Sequence, residues 1–194
     1  MLRGARANLS RRLALPLLVA VAALAGSTAA SAQTGGAAPP GGTTTPAPTG
    51  VPGVATLAPD GTAIPPSDAP RAVRKAITAG NRIHTLPYVW GGGHNRKFKG
   101  RGYDCSGAVS YVLHAAGMLR SPLTSGAFAH SWGAPGIGQW ITVYANKTHA
   151  YAVIAGLRWD TSSVGEALNQ GSGPRWRATQ RDSAGYVAKY FPGY

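Results

Sequence analysis

The chain contains a single cysteine, Cys105, in 194 residues. No internal disulfide can form, which excludes a disulfide-stapled scaffold. Acidic side chains number only six against 19 lysines and arginines, for a formal net charge of +13. No His-x-x-x-His or Cys-x-x-Cys spacing occurs, so the common zinc patterns are missing, and no metal or other cofactor is expected. The apolar run at residues 13–25 has 13 members, short of the roughly 20 that span a bilayer as a helix. No stable membrane span is expected. Apart from Arg96-Lys97-Phe98-Lys99-Gly100-Arg101 there is no dense basic tract, and no nucleic-acid-binding motif is present.

What is present divides the chain in three. Residues 1–32 read as an export signal: Arg3, Arg6, Arg11 and Arg12 precede the apolar run, and Ala30-Ser31-Ala32 fits a small-residue cleavage site. The pair Arg11-Arg12 leaves both the general and the twin-arginine export routes open. The expected location is secreted or extracytoplasmic, at the cell wall or in the periplasm. Removal of the signal leaves 15 basic side chains against six acidic ones, a net of +9. Such a charge draws an exported protein towards anionic polymers. Residues 33–69 hold seven Gly and eight Pro among 37 residues. So few large apolar side chains cannot offset ordering entropy, and a disordered Pro/Gly/Thr/Ala-rich linker is expected. Residues 70–194 remain for one folded domain, taken to be monomeric.

Periodicity places a helix over residues 70–83, with Val73, Ile77 and Ile83 on one face and Asp68 as its cap. A second and stronger helix runs over 105–116, with Val109, Val112, Leu113 and Ala116 on one stripe. Asp104 or Ser106 would start it and Gly117 would end it. Residues 121–138 read as a long irregular loop. Strands follow at 140–145, 149–155, 157–161 and 186–191. Helices first and consecutive strands afterwards indicate an α+β domain with an antiparallel sheet.

Cys105 stands at the start of the second helix. Unpaired N–H groups and the positive end of the helix dipole stabilise a thiolate there. A thiolate nucleophile needs a base. His114 lies nine residues further along the same helix, more than two turns away. His84 and His130 sit in or near loops with no clear orienting partner, and His94 follows three glycines. His149 opens a strand, which places a side chain more rigidly than a loop does. A hairpin of 149–155 with 157–161 would bring Asp160 or Thr161 beside His149 to orient the ring.

Pro87-Tyr88-Val89-Trp90-Gly91-Gly92, followed by Tyr103-Asp104-Cys105-Ser106-Gly107, resembles the NlpC-type family of papain-like cell-wall endopeptidases over about residues 71–162. The resemblance implies a cysteine-bearing helix packed on a small antiparallel sheet. It also implies hydrolysis of amide bonds in peptidoglycan stem peptides, often γ-D-glutamyl to diamino acid. Cys105 would be the nucleophile and His149 the base; the third position, usually His, Asn or Gln in the family, falls on Asp160 only if the hairpin is one residue shorter. Tyr88 would help the oxyanion site, and Asp104 and Ser106 would line the substrate cleft and engage a stem-peptide amine. The sequence departs from the family after the base, where His149-Ala150-Tyr151-Ala152-Val153 stands in place of His-Val-Gly-Ile-Tyr-like text. Two other functions fit the same fold: an inactive wall-binding module, and a thiol-dependent amidase or acyltransferase. Arg158, Trp159, Arg175, Trp176, Arg177 and Arg181 in the C-terminal part could grip glycan or peptide.

Overall fold

The computed structural model describes residues 53–165 and 172–194. The expected signal at 1–32, and residues 33–52 of the expected linker, lie outside the described residues. In chain order the elements are β1 (Thr56–Leu57), β2 (Ala63–Ile64), α1 (Arg71–Ile83), α2 (Cys105–Ala115), α3 (Ser125–Ser131), β3 (Ala134–Pro135), β4 (Ile141–Ala145), β5 (Ala150–Ile154), β6 (Leu157–Asp160), β7 (Arg175–Arg177) and β8 (Val187–Tyr190). The last six form one antiparallel sheet in the order β3-β8-β4-β5-β6-β7. No helix among the described residues is long and apolar enough to cross a membrane.

The two main helices follow the sequence closely. Val73, Ala76, Ile77, Gly80 and Ile83 of α1 are buried at three- and four-residue spacing and face the core. Asp68 does not cap α1; it accepts a hydrogen bond from Gly53 N–H instead, and Pro70 starts the helix without a side-chain cap. In α2 the Asp104 carboxylate accepts from Gly107 N–H at 2.7 Å, a cap worth about 1 kcal/mol. The helix ends at Gly117, whose positive φ of 80° suits glycine. Gly117 N–H bonds His114 O and Met118 N–H bonds Leu113 O, the Schellman pairing that satisfies the last carbonyls. Trp159 ties the sheet to α2, donating from Nε1 to Ala108 O at 3.0 Å. Its ring packs against that of Trp176 and belongs to the same core as Val73, Ile77, Val109, Val112, Ile141, Val143 and Ile154.

Three expectations are corrected. Residues 53–69 are not a spacer: β1 and β2 pair with each other, and Ala55, Ala63 and Ala69 are buried. Ala63 exchanges two backbone bonds with the Asn81 side chain of α1, and Ala55 N–H bonds Ala155 O. Small alanines and backbone bonds to distant elements hold this segment, so its poverty in large apolar residues misleads. Secondly, the loop expected at 121–138 contains α3, capped by Thr124 on Ala127 N–H, and β3. Thirdly, the Arg/Trp-rich tail packs rather than grips. Trp159, Trp176, Arg158 and Arg177 are all buried. Trp176 Nε1 donates to Asn81 Oδ1, and the Arg175 guanidinium donates to the carbonyls of His84, Leu86 and Pro174.

Candidate active site

Gly107 carries no side chain for a geometric reason. A Cβ there would lie 2.0 Å from Gly92 O, so the 91–93 loop sits directly on the first turn of α2. Gly92 is equally confined, because its own Cβ would meet Gly102 O at 2.4 Å. Asp104 N–H donates to Gly92 O, and Asp104 Oδ2 accepts from Gly91 N–H. The two glycine-bearing motifs are thus halves of one close contact. It holds Tyr88 and Trp90 beside the start of α2, and both line a cleft of about 540 Å³ with Cys105, Asp104, Ser106, His94 and Lys147. Cys105 is a free thiol and only 8% exposed, yet it borders this cleft, so substrate can approach it from one side.

The base is delivered from the sheet. The four-residue loop between β4 and β5 is fixed by Asn146, whose Oδ1 accepts from Thr148 N–H, Thr148 Oγ and His149 N–H. His149 therefore enters β5 from a rigid turn. The β5–β6 hairpin closes through Ala155 and Gly156, both with positive φ as a two-residue primed turn requires. Its register pairs Ile154 with Leu157 and Ala152 with Trp159, which sets Asp160 opposite Tyr151. His149 has the parity of Tyr151, so Asp160 is its diagonal neighbour on the same face, while Thr161 falls on the other parity. Asp160, not Thr161, is the partner: His149 Nε2 to Asp160 Oδ1 is 2.8 Å. With Nε2 engaged, Nδ1 is the ring nitrogen left for the Cys105 thiol, which lies near enough to act on the imidazole electrostatically.

The electrostatics favour a charged imidazole. Burial alone would lower the His149 pKa, but the bond to Asp160, the adjacent Cys105 and the negative charge of Asp160 outweigh it and raise the value to about 9. Asp160 itself is fully buried. Burial pushes its carboxyl upward, but His149, Ser162 N–H and Arg181 together hold it below the usual carboxylate value. Arg181 donates to Asp160 Oδ2 at 3.0 Å while lying 5.2 Å from the centre of the Tyr151 ring and 5.3 Å from that of Tyr186. Across the cleft, Asp104 Oδ1 accepts from His94 Nε2, Ser106 Oγ and Gly107 N–H. Asp104 and Ser106 line the cleft as expected, but the carboxylate is already engaged in capping α2 and holding the 91–94 loop. Tyr88 is at the cleft edge, and its hydroxyl pKa is raised by burial and by the nearby Cys105 and Asp104 charges, so it keeps its proton.

Sequence reasoning reached Cys105, His149, Asp160, Tyr88, Asp104 and Ser106; the structure sets Cys105, Tyr88, Asp104 and Ser106 at one cleft and the bonded His149–Asp160 pair beside Cys105 but outside the cleft lining. It passed over Asn146, Arg181, His94, Lys147 and Trp90. The Asn-Lys-Thr turn ahead of His149 was a usable signal for Asn146, and the exposed Trp90 could have been read from its place between Tyr88 and the glycines. Nothing local marks Arg181, which reaches Asp160 from 21 residues away.

Cys105 at the start of α2, His149 in the turn just ahead of β5, where the sequence placed it in the strand, and the buried Asp160 come together on an α+β scaffold with one antiparallel sheet. No family model matches the chain. Mycobacterial proteins named as probable endopeptidases, Rv2190c of Mycobacterium tuberculosis and Mb2213c of Mycobacterium bovis, are each 32% identical to it over 124 residues. The match covers 61% of this chain and 29% of each relative, so the chain spans under a third of their length. Among solved structures, Rv1477, described as a hypothetical invasion protein of Mycobacterium tuberculosis, aligns at 23% identity with a TM-score of 0.42, covering 62% of this chain and 64% of that one. A mutated form of the Resuscitation Promoting Factor Interacting protein RipA aligns at 23% identity with a TM-score of 0.43 and 62% coverage of each chain.

Proposed function

We propose that this chain is a secreted peptidoglycan hydrolase that cleaves amide bonds of cell-wall stem peptides, γ-D-glutamyl to diamino acid, with Cys105 as nucleophile, His149 as acid–base and Asp160 as the residue that orients it. The observation carrying this reading is the His149 imidazole, bonded to Asp160 at 2.8 Å and near enough to Cys105 for the thiol to raise its pKa. The endopeptidase names of the mycobacterial relatives support the reaction class. The basic n-region and apolar run of residues 1–32 support export.

In this mechanism His149 takes the thiol proton and Cys105 Sγ attacks the scissile carbonyl carbon. The oxyanion lies within reach of the free N–H groups of the first turn of α2 and of the Tyr88 hydroxyl, a stabilisation worth about 3 kcal/mol per good donor. Collapse breaks the C–N bond as the imidazolium passes its proton to the leaving amine. Water then adds to the thioester, returns a proton to His149 and expels the Cys105 thiolate. Trp90, 88% exposed at the cleft edge, and Lys147 would contact the peptide on either side.

Digestion of purified peptidoglycan by the full chain, beside Cys105→Ala, followed by mass spectrometry of the fragments, tests the reading. Cleaved stem peptides are expected with the wild type alone; matching fragments from both would exclude a Cys105 peptidase. Products whose acyl group is joined to an acceptor amine, where hydrolysis would leave a free carboxylate, would point to an acyltransferase.

A further inference from the structure

A second concave surface lies away from the cysteine cleft. It is a groove of about 620 Å³ along the exposed face of α1, lined by Arg71, Arg74, Lys75, Thr78 and Arg82 and floored by Ala79 and Ala115. The spacing of residues 71, 74, 75, 78 and 82 puts them on one helical face, opposite the buried stripe of Val73, Ile77 and Gly80. From residue 71 to 82 this face extends about 16 Å.

No acidic side chain lines the groove. Among the described residues none of its four cations is in an ion pair. The described acids are spent elsewhere: Asp60 on Thr62, Asp68 on Gly53, Asp104 on α2, Asp160 on His149 and Arg181, and Asp182 on Ala184. The arrangement works against the helix itself. Arg71 with Arg74, and Arg71 with Lys75, are like charges at i,i+3 and i,i+4, and cations in a first turn oppose the macrodipole. Folding gains from this stripe only the Arg74 bond to Ala69 O and the placement of Arg82 in the last turn, whereas a bound polyanion would relieve the repulsion among its cations.

We propose that the α1 groove binds a linear phosphodiester polyanion, holding the enzyme on an anionic polymer while the cysteine cleft stays free. Three of the four cations are arginines, whose planar fork matches paired phosphate oxygens. The groove is concave and its floor is alanine, with no large apolar side chain to insert into a bilayer. It also has no aromatic ring on which a nucleobase could stack. A flexible phosphodiester chain without bases fits these features best. The inference does not depend on the chemistry assigned to Cys105.

The test compares the full chain with the triple variant Arg71→Gln/Lys75→Gln/Arg82→Gln. Arg74 is retained because its guanidinium also donates to Ala69 O. Binding of a fluorescent poly(glycerol phosphate) chain is followed by anisotropy over a salt series, beside an oligothymidylate of equal phosphate number and phosphatidylglycerol-containing vesicles. The wild type is expected to bind the glycerol phosphate chain, and the triple variant to bind it about tenfold more weakly, with a log–log salt slope smaller by about two. Should the triple variant lose thermal stability, Arg71→Gln and Lys75→Gln singly are each expected to weaken binding about twofold to threefold. Equal affinity of wild type and variants would overturn the proposal. So would vesicles outcompeting the polymer, which indicates a membrane surface, or oligothymidylate outcompeting it, which indicates nucleic acid.

Discussion

Replacing Asp160 with asparagine keeps the shape of the side chain and removes its charge. In the native protein the His149 pKa is raised to about 9 against an ordinary value of about 6.5, which corresponds to about 3 kcal/mol in favour of the imidazolium. That preference prevails over a burial cost that acts the other way, and the bond to Asp160 is its largest source, ahead of the influence of Cys105. Without the carboxylate a charge-assisted bond worth about 2 kcal/mol is lost, and the His149 midpoint is predicted to fall well below that of the wild type. The assay is an NMR titration of the imidazole protons, with the His149 signal assigned by its absence in His149→Gln. Wild type and variant must be compared under the same conditions. The substitution also strips Arg181 of its partner, so circular dichroism must first show a native spectrum. A folded Asp160→Asn protein whose midpoint stays near 9 would refute the reasoning, because something other than Asp160 would then be holding the charge.

Gly107→Ala places a methyl group 2.0 Å from Gly92 O; thermal unfolding is expected to show a loss of about 2 kcal/mol or more, and mass spectrometry a slower alkylation of Cys105, as the 91–93 loop is driven off α2. Deletion of residues 53–69 removes the buried alanines and the two Ala63–Asn81 bonds; a calorimetric scan should show a lower Tm, where a true linker would leave it unchanged. The His149–Asp160 pair also sets a pH window for stability. The folded pKa of His149 is raised, so its contribution is complete below about 6.5 and is lost as pH rises through about 9. That of Asp160 is lowered, so its contribution is complete above about 4 and is lost as pH falls through the folded value. Tm measured from pH 3 to 10 should therefore be highest between these limits, and His149→Gln should flatten the alkaline decline.

How much of this was legible depended on whether the cause was local. The helix α2, its Asp104 cap and its Gly117 stop are written within a few residues, as are the strands β4, β5 and β6 with their turns. The choice of Asp160 over Thr161 needed only the parity of a two-residue turn, which Ala155-Gly156 supplies once both adopt positive φ. Residues 53–69 were misread because their order comes from Asn81 and Ala155, far along the chain. Trp159 and Trp176 offered themselves as surface binding residues, yet their indole N–H groups find Ala108 O and Asn81 Oδ1 inside the fold. The short strand β7 (Arg175–Arg177) reads as charged and exposed, but pairing with β6 buries it. Long-range satisfaction of polar groups decided each of these, and no window of sequence contains it.

The account stands on Cys105 and His149 acting as a unit. Its most direct test is the rate at which iodoacetamide alkylates Cys105 at pH 7, read by mass spectrometry in the wild type and in a folded His149→Ala protein. Stoichiometric labelling of the wild type, slowed at least about tenfold by the substitution, is the predicted result. Equal rates in the two proteins, or a wild-type thiol that takes up no label, would contradict it.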